Sequence, residues 1–265
     1  MSTWWIKQHS LSIRIIFVKQ KNKSNIMDYS NFNMKSNLQV GEQSGTVART
    51  FVANVFSWMF LALAITAATS WYFASSGMIK YLFSSTGLNV LGWIVMLSPI
   101  GFVIALSAGF QKFSAATMTL LFVVYSIVMG VSLSFILLAY TGTSIALTFV
   151  STSVMFGVMA VAGYTTKTDL TKMGSLLFMA LIGIIIASVI NMFMHSSKMD
   201  FIISIAGVII FTGLTAWDTQ KIKRIGEQTM EGEMTRKLTI MGALTLYLDF
   251  INLFLFMLRF MGGRK

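Results

Sequence analysis

The segment LTIMGALTLYLDFINLFLFML, residues 238–258, runs for 21 residues with one charge, Asp249, near its middle. A helix that spans a bilayer needs about 20 mostly apolar residues, so the segment reads as a transmembrane helix with an acid at depth. On insertion scales an aspartate at that depth costs on the order of 2.5–3.5 kcal/mol, which turns it away from lipid and toward a protein interior. The spacing agrees. Gly242, Thr245, Asp249 and Asn252 follow at steps of three, four and three and form one small, polar stripe. Leu246, Phe250, Leu253, Phe254 and Met257 take the other faces.

Outward from this segment, six more apolar runs qualify as spans: Phe51–Ala74, Leu88–Phe110, Ser114–Tyr140, Thr143–Tyr164, Gly174–Met194 and Phe201–Trp217. Short breaks separate them, and only the connection from Asp218 to Lys237 is long and charged. Charged residues are 11% of the 265-residue chain and hydrophobic ones 55%; a soluble domain carries about 25% charged residues. No run alternates with period two, which argues against a barrel. The predicted fold class is an all-α integral membrane protein, a bundle of seven transmembrane helices.

Lysine and arginine orient the bundle. With the N-terminus inside, the inner segments hold 15 of them, and the outer loops hold two, Lys80 and Lys198. That asymmetry predicts a cytoplasmic N-terminus. An odd number of spans then leaves Arg259, Arg264 and Lys265 outside, against the trend. Net charge of +11 on so apolar a chain points to anionic lipid and not to nucleic acid.

The expected organisation is a basic cytoplasmic tail at residues 1–50, a membrane domain at 51–262 and a short tail at 263–265. Residues 1–26 hold Lys7, Arg14, Lys19, Lys21 and Lys23 with no acid, and their apolar patch Leu11–Val18 is short. They read as the product of an upstream start codon, with Met27 the true start; the alternative is a basic interfacial helix.

Asp218 ends the sixth run. Lys221, on the next turn, offsets its unfavourable place at a helix C-terminus. At about 1.5 Å per residue, Asp218 lies about 26 Å from Phe201 and Asp249 about 15 Å from Arg259, so spacing alone does not bring the two acids together. Ser188, Asn191 and His195 form a polar stripe in the fifth run, suited either to helix packing or to lining a pathway. Two small-residue stripes, Ser126/Gly130/Ser134 and Gly101/Ala105/Gly109, suit close helix packing.

Enzyme chemistry finds little footing. The chain has no cysteine and two histidines, His9 and His195, with no paired-histidine metal spacing, P-loop or dinucleotide fingerprint. The expectation is a non-enzyme without a cofactor.

Four stretches carry a resemblance: YTTKTDL at 164–170, MALIGIIIAS at 179–188 with Asn191, DTQKI at 218–222, and LYLDFINLF at 246–254. They resemble the Bax-inhibitor-1 family in its bacterial YccA-like branch, over about Gly45 to Gly262. The resemblance implies a bundle whose last helix is central and wrapped by the other six, in a bacterial inner membrane. It also implies a pH-sensitive calcium leak in which two aspartates, matching Asp218 and Asp249, share protons and transiently hold calcium. Thr245 and Asn252, from the stripe on the last run, and Asn191, from the stripe on the fifth, are the candidates to line such a pathway. Some members latch the acid pair with arginines at the inner end of the second helix. Here that place reads GFQK at 109–112, leaving Lys112 as a stand-in without arginine's planar fork. A second implied role is modulation of the membrane protease FtsH through a cytoplasmic tail, for which residues 27–50 are available.

The expected function is therefore a passive, proton-regulated calcium pathway. The alternative is a non-conducting membrane regulator that binds a membrane protease.

Overall fold

The computed structural model describes residues 46–265 except 85–86, 230–231 and 264–265. The expectations for residues 1–26 and for the tail at 27–45 lie outside the described residues. The chain divides into a unit at Met1–Val47 and one at Ala48–Lys265, the bundle.

Seven helices form: α1 (Thr46–Ser75), α2 (Val90–Gly109), α3 (Ala115–Ala139), α4 (Gly142–Thr165), α5 (Thr171–Met194), α6 (Ser197–Gln228) and α7 (Glu233–Met261). Each is long and apolar enough to cross a membrane. Side-chain caps start several of them. Asn89 Oδ1 accepts from Gly92 N at 2.9 Å, and Ser114, Thr141 and Ser196 cap α3, α4 and α6 in the same way. Between α1 and α2 lies a two-stranded antiparallel ribbon, β1 (Phe83–Ser84) with β2 (Gly87–Leu88), which the sequence pattern does not foreshadow.

The helix ends correct one expectation. The charged connection from Asp218 to Lys237 is almost wholly helical: α6 runs on to Gln228 and α7 starts at Glu233. Nothing in residues 218–228 breaks a helix except Gly226, and Gly226 is needed where it is. A Cβ there would meet the Phe51 ring and the Ala48 backbone of α1.

Helix α7 is the centre. Over its most apolar stretch 61% of positions are buried, against 6% in α5. It packs on α3, α4 and α6, and on α1 through Gly242 against Val55 and Tyr247 against Thr66. The picture of a core helix wrapped by six neighbours needs adjusting: α2 leans chiefly on α3, and α5 on α6. Large side chains such as Ile209 and Phe193 stay exposed, as lipid-facing residues do. Lipid tails are as apolar as leucine, so close packing, not hydrophobic exclusion, holds the helices. Gly130 shows this, since a Cβ would run into the Thr66 carbonyl of α1. The other small stripe does not serve an interface: Gly101 faces open space, and Gly109 makes room for Phe113 of the adjoining turn.

The turns fall into two groups. The α2–α3, α4–α5 and α6–α7 turns share one end, called the basic end below, with Lys112, Lys167, Arg236 and Lys237. At the opposite end Arg259 pairs with Asp200 at 3.5 Å and lies over the Phe256 ring, which gives that out-of-trend arginine a partner.

Candidate functional site

Helices α6 and α7 pack as an antiparallel hairpin, and the acids meet on its seam. Phe211 stacks on Phe256 with centroids 5.8 Å apart. Gly207 leaves room for that ring, because a Cβ there would strike it. Seven residues along each helix, on the same row of the seam, stand Asp218 and Asp249. Their side chains lie within hydrogen-bond reach of each other. The depth arithmetic from sequence leaves them apart because it treats Trp217 as the end of the sixth span. With α6 carried ten residues beyond Asp218, that acid lies inside a helix and beside α7.

Both acids are buried, at 6% and 5% exposure. Their polar neighbours turn inward on their own helices. Thr215 and Thr219 hydroxyls donate to Phe211 O and Thr215 O at 2.7 Å, and Thr245 donates to Met241 O at 3.0 Å. Asn252 Nδ2 donates to Leu248 O at 2.8 Å. Among the described residues no N–H or O–H donates to Asp249 Oδ2, which is fully buried. A carboxylate has only acceptors. The contact between the two groups is therefore a hydrogen bond when one of them holds a proton, and a repulsive pair of charges when neither does.

The pair opens on a cavity of about 610 Å³ between α5, α6 and α7. Thr245, Asp249 and Asn252 of α7, Asp218 and Lys221 of α6, and Ser188 of α5 are its polar lining; Leu181, Ile184 and Ile185 supply part of an apolar wall. The ionisable groups on it are Asp218, Asp249 and Lys221. The structure thus brings together four of the sequence candidates, Asp218, Asp249, Thr245 and Asn252.

Two others are placed elsewhere. Asn191 is not a lining residue; its Oδ1 accepts from Ser196 N at 3.1 Å and closes the α5–α6 turn. Lys112 is exposed at the α2–α3 turn, away from the acids. What holds that turn is α7: Lys237 Nζ donates to Phe110 O at 3.2 Å, and Glu233 accepts from Ala115 N at 3.2 Å. The cation on the cavity wall is Lys221, whose ammonium also sits over the Trp217 ring, 5.3 Å from its centroid. Sequence reasoning saw Lys221 as a partner for a helix end and missed its place on the cavity. Its spacing of three from Asp218 is the signal that was available.

No cluster of three or more His, Cys, Asp or Glu occurs among the described residues. Two carboxylates offer four oxygens, fewer than the six to eight that calcium takes.

A seven-helix, multi-pass integral membrane bundle with an acid pair buried beside its central helix is the class that fold and site define. The family model described as Inhibitor of apoptosis-promoting Bax1 matches residues 48–265, and the chain belongs to the Bax inhibitor-1 family. It is 48% identical over 219 residues to inner membrane protein YbhL of Escherichia coli strain K12, covering 82% of this chain and 93% of that one. It is 35% identical over 232 residues to protein YrjE of Lactococcus lactis subsp. lactis, covering 86% and 97%. A membrane protein of Streptococcus pyogenes serotype M1 is 34% identical over 225 residues, covering 83% and 95%.

Proposed function

We propose that the protein is a proton-regulated cation leak, with calcium the ion it suits best, set in a bacterial inner membrane with its basic end and N-terminus in the cytoplasm. The observation that supports this reading is the contact between Asp218 and Asp249, both buried, with no donor to Asp249 Oδ2 among the described residues, and open to a cavity between helices. Two carboxyls in contact and shielded from bulk water are stabilised by either a proton or a cation between them. With the proton, one hydrogen bond closes α7 onto α6. Without it, repulsion opens the seam and two hard oxygen donors face the cavity, the ligand type calcium prefers. Those two packings are the bistable element a switch requires. Lys221 on the same wall opposes cation entry and keeps occupancy brief, which a conducting site needs.

Calcium flux into proteoliposomes of the purified protein, measured across pH, tests the reading. The expected result is pH-dependent flux that Asp249→Asn flattens. Asp218→Asn should do nearly the same, and the double variant should add little, because the two act as one unit. Single variants that keep the wild-type pH profile would remove the pair from the mechanism. A folded protein that passes no calcium would favour the non-conducting regulator, to be sought by co-purification with a membrane protease such as FtsH.

A further inference from the structure

The two outlying sequence motifs, YTTKTDL at 164–170 and DTQKI at 218–222, form one contact. Gln220 is buried at 5% exposure, and its amide uses both ends on the α4–α5 turn. Nε2 donates to Thr168 O at 2.8 Å, and Oε1 accepts from Leu170 N at 2.9 Å. Lys223 Nζ donates to Tyr164 O at 2.9 Å and lies 5.0 Å from that ring's centroid. Arg224 reaches Asp169 Oδ1 at 2.8 Å and Thr171 Oγ1 at 3.1 Å. Just before this contact α4 touches α6 backbone to backbone, since a Cβ on Gly163 would collide with Ala216 O.

Gln220 follows Asp218 by two residues, and two residues turn a helix by about 200°. Asp218 therefore faces the α7 seam while Gln220 faces the turn on the other side of α6. A bidentate grip on one side of a helix fixes its rotation, and rotation decides whether a carboxyl on the far side meets its partner. We infer that Gln220 is a positioning residue for the acid pair: by clamping the α4–α5 turn it holds α6 at the rotation that sets Asp218 against Asp249. The inference rests on the proposed function only for its effect on flux; the geometry can be read without any flux.

The chain has no cysteine, so cross-linking is clean. With Asp218→Cys and Asp249→Cys in the full-length protein in proteoliposomes, oxidation should join α6 to α7 readily. Adding Gln220→Met, which keeps the length and removes both hydrogen bonds, should slow that cross-link about tenfold, as loss of roughly 1.4 kcal/mol of bias does in an equilibrium. A second pair, Asp200→Cys with Arg259→Cys, sits on the same hairpin at the opposite end and should be joined at an unchanged rate by a bifunctional thiol reagent long enough to replace the arginine stem. Gln220→Glu keeps the acceptor and loses the donor, and serves if the methionine variant does not fold. With both aspartates restored, Gln220→Met should shift the pH midpoint of calcium flux by on the order of half a unit or more. Equal cross-linking with and without Gln220 overturns the inference. So does equal slowing of both pairs, which marks a merely structural role; selective slowing of the acid-pair cross-link with an unmoved flux midpoint supports the positioning and counts against the acid pair as the pH sensor of the proposed function. If the wild type shows no flux at any pH, the proposed function fails, and the contrast between the two cross-links still decides whether Gln220 positions Asp218.

Discussion

Tyr125 and Tyr247 make a natural experiment on what a buried hydroxyl contributes. Both rings are fully buried and meet edge to face, centroids 5.5 Å apart. Tyr247 OH is 2.7 Å from Thr66 Oγ1, which in turn donates to Ser126 O at 2.9 Å. Tyr125 OH has no partner among the described residues. Tyr125→Phe keeps the ring contact and removes an unsatisfied group, so it should leave stability unchanged or raise it by about 1 kcal/mol. Tyr247→Phe breaks a hydrogen bond between α7 and α1 and should cost about 0.6 kcal/mol, the average for such bonds in a membrane bundle. Unfolding of the purified protein in mixed micelles reads both, and a larger loss in Tyr125→Phe would contradict the geometry. At this scale the sequence was uneven. Asp249 was legible because an acid amid 20 apolar residues has few places to go. Asn191 was misleading: its spacing from Ser188 placed it on a lining face, but it stands in the last turn of α5, where the Ser196 N–H just past the helix end donates to its oxygen.

Among the elements, α6 is the one hydropathy misread. Lys221, Lys223, Arg224 and Glu227 make residues 218–228 look like a soluble connection. They stay helical while Lys223 and Arg224 bond to the α4–α5 turn, Lys221 lies over the Trp217 ring, and Ile222 and Gly226 stay buried. The Arg224–Asp169 bridge in this extension is exposed, with 43% and 65% of the two side chains accessible. Hydrogen bonds from Thr171 and then the Arg224 guanidinium hold the Asp169 carboxyl below the usual carboxylate range. A depressed pKa means that the bridge is present above the ordinary aspartate value and is lost only as pH falls through the lowered one. It therefore does not titrate between about pH 5 and 8, where a pH switch would act. Asp169→Asn should leave the pH midpoint of flux in place, since exposed bridges contribute little. A shifted midpoint in that variant would move the pH-sensing part of the protein to the α4–α5 turn.

For the whole molecule, span number followed directly from run length, because lipid demands about 20 apolar residues whatever the partners are. Which helix is central came from the family resemblance, and the polar stripe on α7 showed only that this helix turns one face to the interior. Which helices are peripheral was not, since α5 and α7 are both long and apolar, and only their burial tells them apart. The topology is testable as it stands. Glu227→Cys, exposed on the α6 extension, should resist an impermeant thiol reagent in intact cells and react once the membrane is opened. Lys198→Cys, at the start of α6, should react in intact cells. Reversed labelling would invert the orientation and place the basic end outside.

The opposite-end ion pair Asp200–Arg259 gives the acid pair an electrical address. From that pair to the acids, α6 climbs 18 residues and α7 descends ten, about 27 and 15 Å of rise. In a hydrocarbon layer about 30 Å thick that begins at that ion pair, those two rises put the carboxyls between the midplane and the basic end. Membrane voltage falls across that same layer, at about 2.3 kcal/mol per elementary charge for each 100 mV. A proton reaching the pair from the basic end crosses the smaller share of the voltage drop, and a cation arriving from the opposite end crosses the larger. Imposing a potential on sealed proteoliposomes should then steepen calcium entry while hardly moving its pH midpoint. A midpoint that moves with voltage as strongly as the flux does would place proton access at the opposite end.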